Sequence, residues 1–173
     1  YEGSITDDFE AAFYRALAAA EEVTGVDDFV NSWRYSANGR TFTLNIQYRY
    51  SKNEFLRRTA NARAAVDKAR QIVVRLIKPD MSEFEKEIAL HDYIVNNTRY
   101  DYQNYLSDTL PDESFEEYGC LVLGVAVCEG YSEAMKLLCD LAGLECIIVK
   151  GKSKRGNGSV GHAWNLIMVD GEY

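Results

Sequence analysis

Val127-Cys128-Glu129-Gly130-Tyr131-Ser132 stands immediately before an apolar-periodic run, and a histidine follows in Gly161-His162-Ala163-Trp164-Asn165. A thiol is a nucleophile only as its thiolate, a form favoured by the positive end of a helix and by a neighbouring imidazolium. From 128 to 142, Tyr131, Met135 and Leu138 fall on one stripe with Ala134, Leu137 and Leu141 beside it, and Gly143 is the natural stop. Cys128 is therefore expected in the first helical turn. Residues 144–152, with Cys146, Ile147, Ile148 and Val149, read as a buried strand, and 163–169 as a second. The polar loop 153–161 between them, carrying Gly156, Gly158 and Gly161, reads as the rim of a cleft, with His162 at the junction of loop and strand. A thiol opening a helix and a histidine on a neighbouring strand suggest acyl-transfer chemistry.

Upstream the pattern changes twice. Thr6 or Ser4 caps a predicted helix over 7–23, with Phe9, Phe13, Ala16, Leu17 and Ala20 on its inner face. Strands over 29–35 and 41–50 flank Asn38-Gly39, a pair whose tolerance of positive φ favours a tight hairpin. A long helix over 53–77 carries Phe55, Thr59, Ala62, Val66, Ala69, Val73 and Leu76 as one stripe and ends before Pro79. Ser82 with Glu85 forms a capping box that opens a helix over 83–97. There His91 shares spacings of four, three and four with Phe84, Ile88 and Val95, so it reads as a core histidine and leaves His162 for chemistry. The expected organisation is an accessory segment, 1–80, packed on a core, 81–173.

Composition narrows the function. A net charge of −8, from 19 basic and 27 acidic residues, with no Lys or Arg block longer than two, argues against nucleic acid as a partner. No apolar run approaches the length a membrane-spanning helix needs. A start at Tyr1 without a basic, apolar leader reads as a fragment or a processed form. The 4 cysteines, Cys120, Cys128, Cys139 and Cys146, contain no C-x-x-C pair, and only 2 histidines accompany them, so neither a metal site nor a cofactor is expected. Cys139 and Cys146 read as small buried hydrophobes.

Gly124-Val125-Ala126-Val127-Cys128-Glu129-Gly130-Tyr131-Ser132, Ala142-Gly143-Leu144, Gly161-His162-Ala163-Trp164-Asn165 and Val169-Asp170-Gly171-Glu172-Tyr173 together resemble the bacterial transglutaminase-like superfamily. His91-Asp92-Tyr93-Ile94-Val95 and Arg99-Tyr100-Asp101 resemble the segment that precedes the cysteine in such proteins. The resemblance implies an α+β, papain-like core in which the cysteine-bearing helix packs on an antiparallel sheet carrying the histidine. It also implies a Cys-His-Asp triad whose aspartate follows the histidine strand. The chain stops at Tyr173 before such a block, and Asp170-Gly171 reads as a two-residue turn, so a dyad of Cys128 and His162 with poorer imidazole orientation is expected.

The mechanism expected is a thioester route in which Cys128 attacks an amide carbonyl and His162 moves the proton. The Cys128 backbone N–H is one expected oxyanion donor and Tyr118 a second. Peptides or proteins are the expected substrates. Transfer to water makes a peptidase or amidase, and transfer to a lysine amine makes a crosslinking enzyme. The resemblance favours hydrolysis of peptide or cell-envelope amides and a secreted or cell-surface location. A non-catalytic module that keeps the fold is the alternative class, and the tyrosine-rich stretch 100–118 is a further candidate binding loop.

Overall fold

The strands expected on either side of Asn38-Gly39 form an antiparallel pair in a computed structural model that describes residues 30–37, 42–155 and 158–173. β1 (Val30–Ala37) and β2 (Phe42–Tyr48) run in register from Val30 opposite Tyr48 to Ala37 opposite Phe42, with a bulge between Val30 and Ser32. The Asn38-Gly39 turn and the helix expected over 7–23 lie outside the described residues. The chain divides into two units, residues 1–58 and 59–173. In the first, the Arg58 guanidinium lies 4.4 Å from the centroid of the Tyr50 ring, and Glu54 pairs with Arg57 and Arg58 one turn on.

Helix α1 (Lys52–Leu76) crosses from the first unit into the second. Ala65, Ala69 and Ile72 are its buried residues, whereas Ala62 of the expected stripe is exposed. Ala69 of that stripe is buried and Val73 and Leu76 pack against the core, so the inner face keeps the later part of the predicted stripe and widens towards Ala65 and Ile72.

Helix α2 (Glu83–Asn97) begins as predicted. The Glu85 N–H donates to Ser82 Oγ at 3.2 Å, and Glu85 Oε2 accepts from the Ser82 N–H at 2.8 Å. Its core face is not the expected one. Leu90 and Ile94 are buried, while Phe84, Ile88 and Val95 are exposed, and the His91 side chain is 57% accessible. His91 is therefore no core histidine. The helix carries two apolar stripes, and periodicity alone cannot choose between them.

The stretch after α2 is compact rather than a long free loop. It runs through β3 (Arg99–Tyr100), α3 (Tyr102–Ser107), a 3₁₀ turn at Asp112–Phe115, a π turn at Gly119–Leu123 and β4 (Val125–Ala126). Helix α4 (Cys128–Ala142) follows and ends at Gly143, whose φ of 75° suits a residue without a Cβ. Its buried residues Ala134, Met135, Leu138 and Cys139 meet Leu90 and Ile94 of α2, Ala69 and Ile72 of α1, and Leu144 and Cys146 beyond the turn in one core.

β5 (Cys146–Arg155) and β6 (Gly158–Ile167) pair antiparallel along their whole length, from Cys146 opposite Ile167 to Arg155 opposite Gly158. The loop expected over 153–161 is thus mostly strand, and His162 lies inside β6 opposite Gly151. An exposed polar hairpin arm lacks the alternation of apolar residues by which strands are recognised. Asp170 and Gly171 take positive φ, 55° and 83°, between bridged Val169 and Glu172, which is the two-residue turn read from the sequence. The Asp170 N–H donates to Glu83 Oε2 at 2.7 Å, pinning this turn to the start of α2.

Among the described glycines Gly119 permits the tightest packing, because a Cβ there would fall 2.0 Å from the Glu113 carbonyl oxygen and 2.9 Å from that of Val125. Gly119→Ala is expected to lower the unfolding free energy by about 1–3 kcal/mol, the usual range for overpacking. Urea unfolding followed by circular dichroism measures it.

Candidate functional site

A two-residue parallel pairing builds the approach to Cys128. Arg99 lies opposite Val125 and Tyr100 opposite Ala126, with the Arg99 N–H donating to the Gly124 carbonyl at 3.0 Å and the Asp101 N–H to that of Ala126 at 2.9 Å. Tyr100 is thereby brought close to the residues that lead into α4. The Asp101 side chain turns inward, where its carboxylate accepts from Asn104 Nδ2 at 2.9 and 3.0 Å and from Ser114 Oγ at 2.7 Å. The Ser114 hydroxyl, then Asn104, hold the Asp101 pKa below its ordinary value of 3.8. Ser114, buried as well, accepts the Val127 N–H at its own carbonyl at 2.8 Å.

Cys128 is the first residue of α4 and is half-buried. Val127 precedes it in extended conformation and supplies no side-chain cap, so the first N–H groups of the helix are left for other partners. Gly130 keeps this end accessible to the Ser114 turn, since a Cβ there would meet the Ser114 carbonyl oxygen at 2.6 Å. Ser132 Oγ donates to the Cys128 carbonyl at 2.9 Å.

Two further ties hold α4 on the β5–β6 hairpin. Lys150 Nζ of β5 contacts Glu129 Oε1 at 2.5 Å, so the carboxylate next to the thiol is paired with a cation. Asn165 Nδ2 of β6 donates to the Ser132 carbonyl at 3.0 Å and to Cys146 Sγ at 3.3 Å. On the same strand the Trp164 ring lies 5.9 Å from the His162 ring, tilted by 30°. It leans over Gly151, where a Cβ would come within 2.9 Å of Trp164 Cη2. Gly151 therefore makes room for the indole that lies beside the imidazole.

Two cavities open beside Cys128. One, of about 340 Å³, has walls from Tyr105, Leu110, Phe115, Val127 and Val160, with Lys154 at its rim. The other, of about 450 Å³, runs between α2, α4 and β6 past Glu87, His91, Met135 and Trp164. Tyr100, Cys128 and His162 are the three residues that line both. Tyr118 and Asp170 line neither. Tyr118 stands at the head of the π turn, and Asp170 in the turn after β6.

Tyr100 was not singled out for chemistry from the sequence, where it stood only within the Arg99-Tyr100-Asp101 resemblance. Its ring stacks on Tyr131 at 6.3 Å and meets Tyr105 edge-on at 6.3 Å. Burial raises its pKa above the ordinary phenol value, and a negative charge at Cys128 raises it further, while hydrogen bonding to the Cys128 backbone opposes both. The signal available in the sequence was the position of Tyr100-Asp101 at the end of a capped helix, which says nothing of pairing with residues near 126.

The other thiols line neither cavity. All four cysteines are free, and Cys120, Cys139 and Cys146 are buried. Burial pushes Cys120 up to about 11, and the hydrogen bond from Cys139 to Cys146, with burial, pushes Cys139 up. Among the described residues no group of three or more His, Cys, Asp or Glu side chains is arranged to hold a metal ion.

Comparison with known proteins adds four findings. The family model described as the transglutaminase-like superfamily matches residues 70–173. Kyphoscoliosis peptidase from Mus musculus is 24% identical over 111 residues, covering 60% of this chain and 16% of that protein. Its Homo sapiens counterpart is 23% identical over 157 residues, covering 86% and 23%. The chain thus spans less than a quarter of the length of these curated relatives. A crystal structure of a TGase superimposes with a TM-score of 0.52 at 17% identity, covering 98% of this chain and 47% of that one, a likeness of fold.

Asp101→Ala is expected to lower stability by about 1–3 kcal/mol near neutral pH, because it strands buried hydrogen-bonding groups. Since the folded-state pKa is depressed, the carboxylate's contribution is full above the ordinary value of 3.8 and is lost as pH falls through the lower folded value. Urea unfolding of both proteins across a pH series should show the gap narrowing at the acid end.

Proposed function

Because the chain belongs to the transglutaminase-like superfamily, with its α+β, papain-like core, we propose that it performs thiol-dependent acyl transfer on amide bonds at Cys128 and His162. The observation that carries this reading is the meeting of two cavities at a shared edge formed by Cys128, His162 and Tyr100. A substrate amide laid across that edge puts its carbonyl carbon at the thiol and leaves a cavity for the chain on each side.

In this reading Cys128 Sγ attacks the carbonyl carbon, and the oxygen takes the negative charge of a tetrahedral intermediate. His162, having taken the Cys128 thiol proton, passes it to the amine nitrogen as the C–N bond breaks, which leaves a thioester. Water, activated by the same imidazole, then releases the acid and frees the thiol. The Cys128 backbone N–H at the start of α4 is one donor to the oxyanion, and the Tyr100 hydroxyl, a neutral phenol moved further from ionisation by burial, is the second. Tyr100 thus takes the role expected of Tyr118. The name of the curated relatives, a peptidase, supports water as the acceptor, and peptides or proteins as the substrates. The TGase title of the structural neighbour supports a lysine amine as the second reading, since the same thioester serves both.

Iodoacetamide labelling of each cysteine, read by peptide mass spectrometry across pH, is the first test. Cys128 should label fastest below pH 7, and His162→Ala should abolish that selectivity. Slow, histidine-independent labelling would instead point to a non-catalytic module that keeps the fold.

The Tyr100 assignment has its own signature. Acylation of Cys128 by p-nitrophenyl acetate passes through an oxyanion, whereas alkylation by iodoacetamide does not. Tyr100→Phe should therefore slow acylation by about 10²-fold, the scale of one lost oxyanion donor, and change alkylation by less than about threefold. Equal losses in both reactions would make Tyr100 a packing residue.

A further inference from the structure

The two cavities that meet at Cys128 differ in chemistry, and the smaller suits one class of group. Its walls are the rings of Tyr105 and Phe115 with the aliphatic Leu110, Val127 and Val160, and apart from Cys128 and His162 the one ionic side chain among its lining is Lys154. Lys154 has no ion-pair partner among the described residues. The larger cavity has a broader apolar lining, with Ile94, Met135, Trp164 and Ile167, and adds the polar Glu87 and His91 rather than a lysine. The floor of the smaller one is also fixed: Phe115 follows Ser114, whose hydroxyl is held by Asp101 and whose carbonyl holds Val127. Tyr105 is held edge-on against Tyr100 and stacked on Tyr102 at 6.4 Å. A preformed apolar recess with a single cation at its mouth, opening on a nucleophile, takes a ring that carries or adjoins an anionic group.

We propose that the cavity walled by Tyr105, Leu110 and Phe115 is a substrate subsite that receives an aromatic or large aliphatic side chain flanking the reacting amide, with a substrate carboxylate meeting Lys154. The proposal rests on the reading of Cys128 as the nucleophile and goes beyond it in naming the substrate class: a peptide with an apolar residue and an acidic group on one side of the reacting bond. Apolar burial dominates the selectivity, because Lys154 stands in water, where an ion pair contributes little.

The test uses iodoacetamide, N-benzyl-iodoacetamide and its 4-carboxy and 4-aminomethyl derivatives on the whole chain, with the Cys128 rate read by peptide mass spectrometry. The benzyl reagent should react about 10–100-fold faster than iodoacetamide, the gain expected from burying one ring. The 4-carboxy form should gain a further factor of about 2–5, as an exposed ion pair would give, and Lys154→Glu should transfer that factor to the 4-aminomethyl form. Leu110→Gln should reduce the benzyl ratio, whereas Val95→Gln, in the wall of the other cavity, should leave the ratio as it was. A benzyl ratio near one, with Cys128 labelling still dependent on His162, overturns the subsite and leaves the acyl-transfer reading standing. A benzyl ratio lost in Val95→Gln and kept in Leu110→Gln overturns it too, by placing the ring in the larger cavity. Loss of the His162 dependence with the benzyl ratio intact overturns the acyl-transfer reading and keeps the recess as a binding site. A Cys128 inert to every reagent overturns both.

Discussion

Ser114 holds together the part of the molecule on which the placement of Cys128 depends. Its hydroxyl donates to the buried Asp101 carboxylate and its carbonyl accepts the Val127 N–H, so one residue ties the start of α3 to the strand that enters α4. Both bonds are out of water, where an unmade bond costs more than a made one contributes. The arrangement also explains two nearby glycines. Gly130 leaves space for the Ser114 carbonyl over the first turn of α4, and Gly119 lets the π turn approach Glu113. The consequence at the site is that Cys128 opens its helix at a fixed place, with no side-chain cap from Val127 and with its backbone hydrogen-bonded to Tyr100.

A second constraint fixes the histidine. His162 lies on a strand, and its distance from α4 depends on how the β5–β6 hairpin sits. The hairpin is anchored at its buried end by Cys146 in the core and by Asn165 to the Ser132 carbonyl, and on its exposed side by the Lys150–Glu129 pair. The buried anchors supply most of the energy, because an exposed ion pair is worth a fraction of a kcal/mol up to about 1 kcal/mol. The role of the pair is local instead: it sets a cation against the one carboxylate adjoining the thiol. Trp164, admitted by the absence of a side chain at Gly151, then limits where the imidazole can lie.

Burial sets the other three thiols apart from Cys128, although their pKa values move in opposite directions, the hydrogen bond with Cys139 lowering Cys146 to about 7. Cys120, Cys139 and Cys146 are all buried in the core that α4 shares with α2, and Cys120 and Cys139 are pushed towards the neutral thiol by that environment. Cys128 alone stands at the edge of the core, facing two cavities. Exposure and burial are separated along a single helix: its first residue faces the cleft, and Cys139, three turns on, is closed in.

Strong local signals survived into the structure. The capping box at Ser82 and Glu85, the Gly143 stop, the Asp170-Gly171 turn and the helix opening at Cys128 each depend on residues within a few positions of one another, so the sequence alone determined them. The transglutaminase-like character was legible for the same reason, since the Cys128 and His162 blocks are contiguous motifs. What only the tertiary structure decided was which of two stripes on α2 faces the core, exposing His91, and how far the β5–β6 pairing extends, placing His162 within a strand. It also decided that Tyr100, rather than Tyr118, joins Cys128 at the meeting of the cavities. Each of these turns on partners distant in sequence: burial selects one apolar face among equivalents, and a two-residue parallel pairing leaves no periodicity to read.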